Sequence, residues 1–289
     1  MVMIDNQDRV AVISEALPYI RNFAGKTFVI KYGGASMTND TLKQKVIEDI
    51  ALLSYIGVSP VIVHGGGAEI NQMLNRLNIK SHFHKGIRIT DQETIEIVEM
   101  ILSGKVQKEL VGLLNQAGAK AIGIAGRDGG LMKAKKFTSD DEIDWGFTGE
   151  IDSVNPQILY DLIEKKYLPL ISSLAPDEAG QIYNINADIV AAQIAISLKA
   201  EKLILLTDTP GILKDKNDKN SLIKSLNIES AKALIEQKII KDGMIPKVLS
   251  GINAINNGVG AVHILDGTHE HVLLLEILSS AGVGSMIVK

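Results

Sequence analysis

A chain of 289 residues, 46% of them apolar, can bury a substantial core and has room for one large domain or two modest ones. Lys and Arg number 30 against 34 Asp and Glu, and the net charge of −4 gives no field suited to a nucleic-acid backbone or an anionic membrane, so neither is expected as a partner. The absence of cysteine excludes disulfides and thiolate sites, the charged start MVMIDNQDRV lacks a signal-peptide core, and no apolar run reaches the roughly 18 residues of a membrane span, so a cytoplasmic protein is expected.

Ahead of the first strand, DRVAVISEALPYIRNFAG sets Val10, Ile13, Leu17 and Ile20 on one face of a helix, with Pro18 inside it predicting a kink. That stripe fits packing on its own domain or docking on another subunit. From there short β-branched runs bounded by glycine alternate with longer helical patterns. The strand candidates are TFVIKYGG, VSPVIVHGGG, AKAIGIAG, YLPLISSLA, EKLILLTD and AVHILDG; helical periodicity marks residues 41–56, 68–77, 91–117, 187–198 and 230–238. The alternation predicts an α/β fold with a mainly parallel sheet covered on both faces, and ligands are expected at the carboxyl ends of its strands. Residues 126–156, rich in Gly, Asp and Lys, read as hairpins and loops projecting from the sheet, and residues 214–225 as a polar loop. The expected division is an N-terminal helix (1–25), a first lobe (26–199) and a second lobe (200–289).

Gly65, Gly66 and Gly67 stand between a strand and a helix, where backbone N–H groups and the positive helix end can meet an anion. A tight turn alone would need one glycine. Competing motifs fail: AGKT at 24–27 has Ile20 where a P-loop needs its leading glycine, no G-x-G-x-x-G occurs, and the HGGG of an esterase lacks its G-x-S-x-G elbow. VIKYGGASM ends the first strand with Lys31, Gly33 and Gly34; a lysine in an apolar strand needs a negative partner, and phosphate is predicted. YNINADIVAAQIA brings Asn184, Asn186 and Asp188 to a helix start, where each alone fits a cap and the three together point to a ligand. LLTDTPGIL ends a strand with Thr207 and Asp208, and IIKDGMIPKV places Lys247 where a loop enters a helix.

Taken in order, KYGG (31–34), HGGG (64–67), KGIRIT (85–90), NINAD (184–188), TDTPGIL (207–213) and DGMIPKV (242–248) span nearly the whole chain. With them the sequence resembles the amino acid kinase family, and within it the acetylglutamate kinase branch. The resemblance implies a three-layer α/β/α sandwich of the carbamate kinase-like type. It also implies transfer of the ATP γ-phosphoryl group to the side-chain carboxylate of N-acetyl-L-glutamate, in arginine biosynthesis. A glutamate carboxylate, with an ordinary pKa of ~4.3, is already ionised at neutral pH, so the chemistry needs alignment and charge stabilisation rather than a general base. On this resemblance Lys31 and Lys247 act on the transferring group from opposite sides and Asp188 lies between them. Gly33, Gly34, Gly66 and Gly67 offer amides where a Cβ would intrude on the ligand, while Arg88, Asn184 and Asn186 bind acetylglutamate. Thr207, Asp208, Gly211 and Ile212, with Ile239, Ile240 and Lys241, form the nucleotide pocket. Magnesium rides on the ATP phosphates with water, no protein metal site is expected, and His64 is read as structural rather than catalytic.

The N-terminal helix and the C-terminal HEHVLLLEILSSAGVGSMIV resemble arginine-inhibited members, whose helices interlace dimers into a hexamer, a trimer of dimers. The resemblance implies an L-arginine site of His271, Glu276 and the turn at 282–285 with Gly284, beside Lys214 and Tyr19; Ser285 stands where the family usually has Thr. Two rival readings are a carbamate or glutamate 5-kinase, disfavoured by Arg88, and a silent arginine sensor, disfavoured by the intact Lys31, Asp188 and Lys247.

Overall fold

The computed structural model describes residues 5–140, 143–280 and 282–289. Helix α1 (Asn6–Phe23) precedes β1 (Thr27–Tyr32), the short α2 (Ala35–Thr38) and α3 (Asp40–Tyr55), which Asn39 caps by accepting from the N–H groups of Thr41 and Leu42. Then come β2 (Ser59–His64), α4 (Gly67–Arg76) and a hairpin of β3 (His82–His84) and β4 (Ile87–Ile89). The helix expected over 91–117 is divided: α5 (Gln92–Glu99) and α6 (Gln107–Gln116) flank a π-helical stretch at Met100–Val106. Ile101, Leu102 and Val106 are buried within the π stretch, so the apolar spacing of the sequence runs on through it.

β5 (Ala121–Ile124), β6 (Met132–Lys136) and β7 (Thr148–Val154) follow, β6 and β7 pairing antiparallel as the hairpin signals at 126–156 predict. The chain continues through α7 (Gln157–Glu164), β8 (Leu168–Ser172), β9 (Leu174–Pro176), β10 (Ile182–Ile185), α8 (Ala187–Ser197) and β11 (Lys202–Thr207). It ends with β12 (Ser225–Asn227), α9 (Ile228–Glu236), α10 (Met244–Asn256), β13 (Ala261–Asp266), α11 (Val272–Leu278) and β14 (Ser285–Val288).

Eight strands form one sheet in the order β12-β14-β13-β11-β1-β2-β8-β5, parallel except where β13 meets β14. A smaller sheet runs β6-β7-β10-β9. Strand β1 sits centrally, with β2 and β11 on either side, so the ends of three strands open on one crevice. Both faces of the large sheet are covered, which is why its strands read as continuous apolar runs. Side chains alternate between the faces. Val29, Val61, Val63, Leu203 and Leu205 pack with Val190 and Ala191 of α8 and Val248 of α10; Phe28, Ile30, Ile62, Ile204 and Leu206 pack with Ile47 of α3, Ile95 of α5 and Leu273 of α11. By the same alternation Lys31 faces α8 and α10, and His64 faces the other way.

Helix α1 runs through Pro18 and packs only its C-terminal half, where Phe23 meets Phe28 with ring centroids 5.2 Å apart. Its stripe is left open to solvent: Val10 and Ile13 are each 64% exposed and Leu17 is 50% exposed. No helix among the described residues is long and apolar enough to cross a membrane.

Candidate active site

Lys31, the penultimate residue of β1, lies on the face that α8 and α10 cover; α8 brings it an acid, and α10 brings a second lysine that shares that acid. Asp188, in the first turn of α8, is 5% exposed. Its Oδ2 lies 2.5 Å from Nζ of Lys247, on α10, and its Oδ1 lies 3.3 Å from Nζ of Lys31. The second contact holds Lys31 by charge. Burial pushes the Asp188 pKa up, but the two ammonium groups outweigh it and the net shift is downward. One carboxylate therefore faces two cations, and the surplus positive charge is available to an anion.

A cavity of about 260 Å³ opens above this triad, and Lys31, Gly33, Gly34, Gly65 to Gly67, Arg88, Asn184, Asn186 and Asp188 all line it. The glycines serve different ends. A Cβ on Gly33 would stand 3.0 Å from Nζ of Lys31, so that glycine lets the lysine fold back across the loop. Gly34 has φ +81°, and a side chain there would overlap the Asp208 carboxylate. At Gly66 a Cβ would meet Leu102 Cδ2 at 2.7 Å and Val106 Cγ2 at 3.3 Å, both from the π-helical stretch. A Cβ on Gly67 would meet nothing. At Gly34 and Gly66, then, the chain's own side chains fill the space that the sequence pattern reserves for a ligand.

Arg88 enters from the β3–β4 hairpin, is 8% exposed and has only neutral partners among the described residues. Its guanidinium donates to Asn71 Oδ1 at 2.7 Å, to the Ser81 hydroxyl and to the Gly67 carbonyl at 3.4 Å, and it lies 4.5 Å above the Phe83 ring. Burial lowers its pKa, yet guanidinium remains a cation at any working pH. The Arg88 backbone is pinned from beneath, its carbonyl accepting from Thr148 Oγ1 at 2.6 Å, while Asn184 Nδ2 donates to Thr90 Oγ1 at 3.2 Å. Asn186 caps α8, its Oδ1 accepting from the Asp188 N–H at 2.8 Å, and still lines the cavity. A buried cation without an acid, across a cavity from a two-lysine cradle, is equipped for a ligand with one carboxylate at each end. Sequence reasoning missed Asn71, Ser81, Phe83 and Thr148; Asn71 follows Gly67 by one helical turn and could have been found from that spacing.

A family model described as the amino acid kinase family matches residues 26–266. An acetylglutamate kinase from Carboxydothermus hydrogenoformans is 53% identical over 287 residues, covering 97% of this chain and 98% of its own length. The chain belongs to the amino acid kinase family. Identity at that level over nearly the full length places it among the family's acetylglutamate kinases, which are ATP-using enzymes. Among solved structures, N-acetylglutamate synthase from Neisseria gonorrhoeae complexed with coenzyme A and N-acetyl-glutamate superposes with a TM-score of 0.87 at 26% identity. The same synthase complexed with coenzyme A and L-arginine gives 0.82 at 25% identity. These two matches cover 97% of this chain but 63% and 65% of the synthase chains.

The residues expected to serve nucleotide and effector lie outside the cavity. In this amino acid kinase Thr207 ends β11 and is buried, Asp208 is exposed beside Gly34, and Gly211 lies against Ser285. Ile212 and Ile240 are core residues, Ile239 is half-buried and Lys241 is exposed. Of the effector candidates, Tyr19 stacks on Phe23 with centroids 6.5 Å apart, and Lys214 is exposed, its N–H donating to the Ser221 carbonyl. His271 donates from Nδ1 to Asp49 at 2.6 Å. Glu276 accepts from His263 Nδ1 at 2.7 Å and from the amides of Val283 and Gly284 at 2.6 and 3.2 Å. The Ser285 hydroxyl points inward, accepting from the Ile212 N–H at 2.8 Å and donating to the Ile223 carbonyl at 2.6 Å.

Proposed function

We propose that the chain transfers the γ-phosphoryl group of ATP to the side-chain carboxylate of N-acetyl-L-glutamate, giving N-acetyl-L-glutamyl 5-phosphate and ADP. The observation that carries the reading is Arg88, a buried cation with no acidic partner among the described residues, lining the same cavity as Lys31 and Asp188, with Lys247 bonded to that acid from behind. The two positive ends divide the substrate. The attacking carboxylate must keep a lone pair free and lie where two ammonium groups offset its repulsion from the phosphoryl group, which assigns it to Lys31 and Lys247. A guanidinium fork locks both carboxylate oxygens and would blunt a nucleophile, so Arg88 takes the α-carboxylate. Asn184 and Asn186 line the wall between, and the amides of Gly33, Gly34, Gly66 and Gly67 take anionic oxygens.

The nucleotide lies against the end of β11, with Thr207, Asp208 and the turn at Gly211 and Ile212 on one side and residues 239–241 on the other. This divides the chain into an acetylglutamate lobe (26–199) and a nucleotide lobe (200–289) that share one sheet. Among the described residues no group of three or more His, Asp or Glu side chains could hold a metal ion, and Asp188 is engaged by two lysines. That donor set fits a magnesium ion carried by nucleotide phosphates and water, whose chemistry is to neutralise phosphate charge. The exposed stripe on α1 supports a hexamer built as a trimer of dimers, and L-arginine is the inhibitor proposed to bind at His271, Glu276 and the turn at 282–285. The cysteine-free composition supports a cytoplasmic location.

The test is ADP release with ATP, magnesium and N-acetyl-L-glutamate, with the acyl phosphate trapped by hydroxylamine, repeated with L-arginine. Turnover that arginine abolishes supports enzyme and regulation together, and turnover indifferent to arginine removes the regulatory part. Turnover only with glutamate, carbamate or aspartate would overturn the substrate.

A further inference from the structure

His64 is a fully buried titratable group that phosphoryl transfer as derived above does not use. It closes β2 on the face shared with Ile62 and Tyr32, opposite the face that carries Lys31. Its Nδ1 lies 2.8 Å from the Gly65 carbonyl oxygen. A carbonyl can only accept, so Nδ1 carries the ring proton and donates it, and Nε2 is left as a buried acceptor with no partner among the described residues. The Gly65 N–H is committed to the Tyr32 carbonyl at 2.9 Å. The peptide between Gly65 and Gly66 is trans, so its C=O and N–H point in opposite directions. With the carbonyl drawn to the His64 face, the Gly66 N–H is aimed at the Lys31 face, where the cavity opens. No acceptor among the described residues takes that N–H.

We propose that His64 is a positioning residue for phosphoryl transfer: by holding the Gly65 carbonyl it fixes one peptide plane, so that the Gly66 N–H meets an anionic oxygen of the reacting pair beside Lys31. The device is needed because glycine stands on both sides of this peptide and lets it rotate at little steric cost. A purely structural role accounts poorly for the residue. Leucine would fill the same apolar space without burying an unpaired Nε2. The proposal rests on the kinase reading of the cavity.

The experiment compares the parent with His64→Leu, His64→Asn and His64→Gln in steady-state turnover of ATP and N-acetyl-L-glutamate with magnesium, alongside thermal melts. Asparagine carries a donor near the position of Nδ1, whereas glutamine places its donor near that of Nε2. His64→Leu and His64→Gln are expected to melt within a few degrees of the parent and to lose at least tenfold in kcat. KM for acetylglutamate is expected to move less, and His64→Asn to recover most of the lost kcat. A folded His64→Leu with kcat within about twofold of the parent would overturn the proposal, and so would His64→Asn performing no better than His64→Gln. Should the leucine variant not fold, the Asn and Gln pair decides alone. A parent that does not turn over acetylglutamate removes the kinase reading itself, an outcome visible before any variant is made.

Discussion

Lys247 and Asp188 stand 59 residues apart in the chain, yet their Nζ and Oδ2 atoms lie 2.5 Å apart beneath the cavity, while Lys31 shares the other carboxylate oxygen at 3.3 Å. Replacing the acid leaves two part-buried ammonium groups facing each other. Asp188→Asn is therefore expected to lower stability by about 3 kcal/mol in the ligand-free protein and kcat by about 10²-fold or more. Saturating ATP brings negative charge back between the lysines, so melts with and without ATP should show the nucleotide raising the melting temperature more in the variant than in the parent. An unliganded variant that melts with the parent would contradict the cradle.

On the proposed roles Lys31→Ala removes a cation from the phosphoryl group, and it removes nothing from the apolar core, since Lys31 is only part-buried within β1. The expected result is a fall of about 10³-fold in kcat with an unchanged circular dichroism spectrum. Retention of near-normal kcat would sink the assignment.

Asn71 orients Arg88 from α4, 2.7 Å from its guanidinium. In Asn71→Ala the arginine keeps Ser81 and the Gly67 carbonyl but loses its best acceptor, one bond to a charged group worth about 1.5–3 kcal/mol. KM for acetylglutamate should rise about tenfold while kcat stays within about threefold, because the α-carboxylate is bound equally in ground and transition states. If kcat fell instead and KM held, Arg88 would be acting on the reacting group.

How much of this was legible beforehand depends on where each feature gets its physics. The strands were legible because a parallel strand buried on both faces must read as Val61-Ile62-Val63 does, and Lys31 and Asp188 because an ionisable residue beside such a run needs a partner. Asn71 was not, because a polar residue in the middle of a helix looks like any solvated face. The π stretch at Met100–Val106 bonds i→i+5 where an α-helix bonds i→i+4, and its residues are ordinary helix residues that do not announce the change. The glycines illustrate a different limit. Their spacing announced a close approach, but only the folded chain reveals that Leu102 crowds Gly66 and Asp208 crowds Gly34.

Acid should weaken the fold through its buried imidazoles. Burial lowers the pKa of His64 to about 4 and that of His263 in the same direction. The folded protein keeps His64 neutral down toward that value, whereas the unfolded chain binds protons at its ordinary pKa of ~6.5. Between these values the unfolded state holds more protons, so stability is full above about pH 6.5 and falls as the pH drops toward 4, by about 3 kcal/mol for His64. Asp188 and Glu276, with lowered pKa values, add to the loss at still lower pH, and Asp49, raised by burial, opposes it. Urea midpoints for parent and His64→Leu at pH 7.5 and 4.5 separate the imidazole from the carboxylates. The parent should lose more across that interval, and equal losses would refute the assignment to His64.

Helix α1 offers the one test that leaves the catalytic cavity untouched. Val10, Ile13 and Leu17 follow the i, i+3, i+7 spacing of a packing face, yet each is at least half exposed, while Glu15 ties the same helix to Ser280, accepting from its N–H at 3.0 Å. An apolar stripe on a helix that is anchored at one side and bare on the other is suited to a second copy of itself, and in a two-fold interface every stripe residue counts twice. Burying one Ile is worth about 2 kcal/mol, so Ile13→Glu, which also sets two carboxylates against each other, should dissociate the assembly at that contact. On the proposed assembly, sedimentation velocity should find a hexamer for the parent and dimers for the variant, with kcat in the absence of arginine unchanged. A variant that sediments with the parent hexamer would place the interlocking surface elsewhere, and a monomeric parent would remove the assembly.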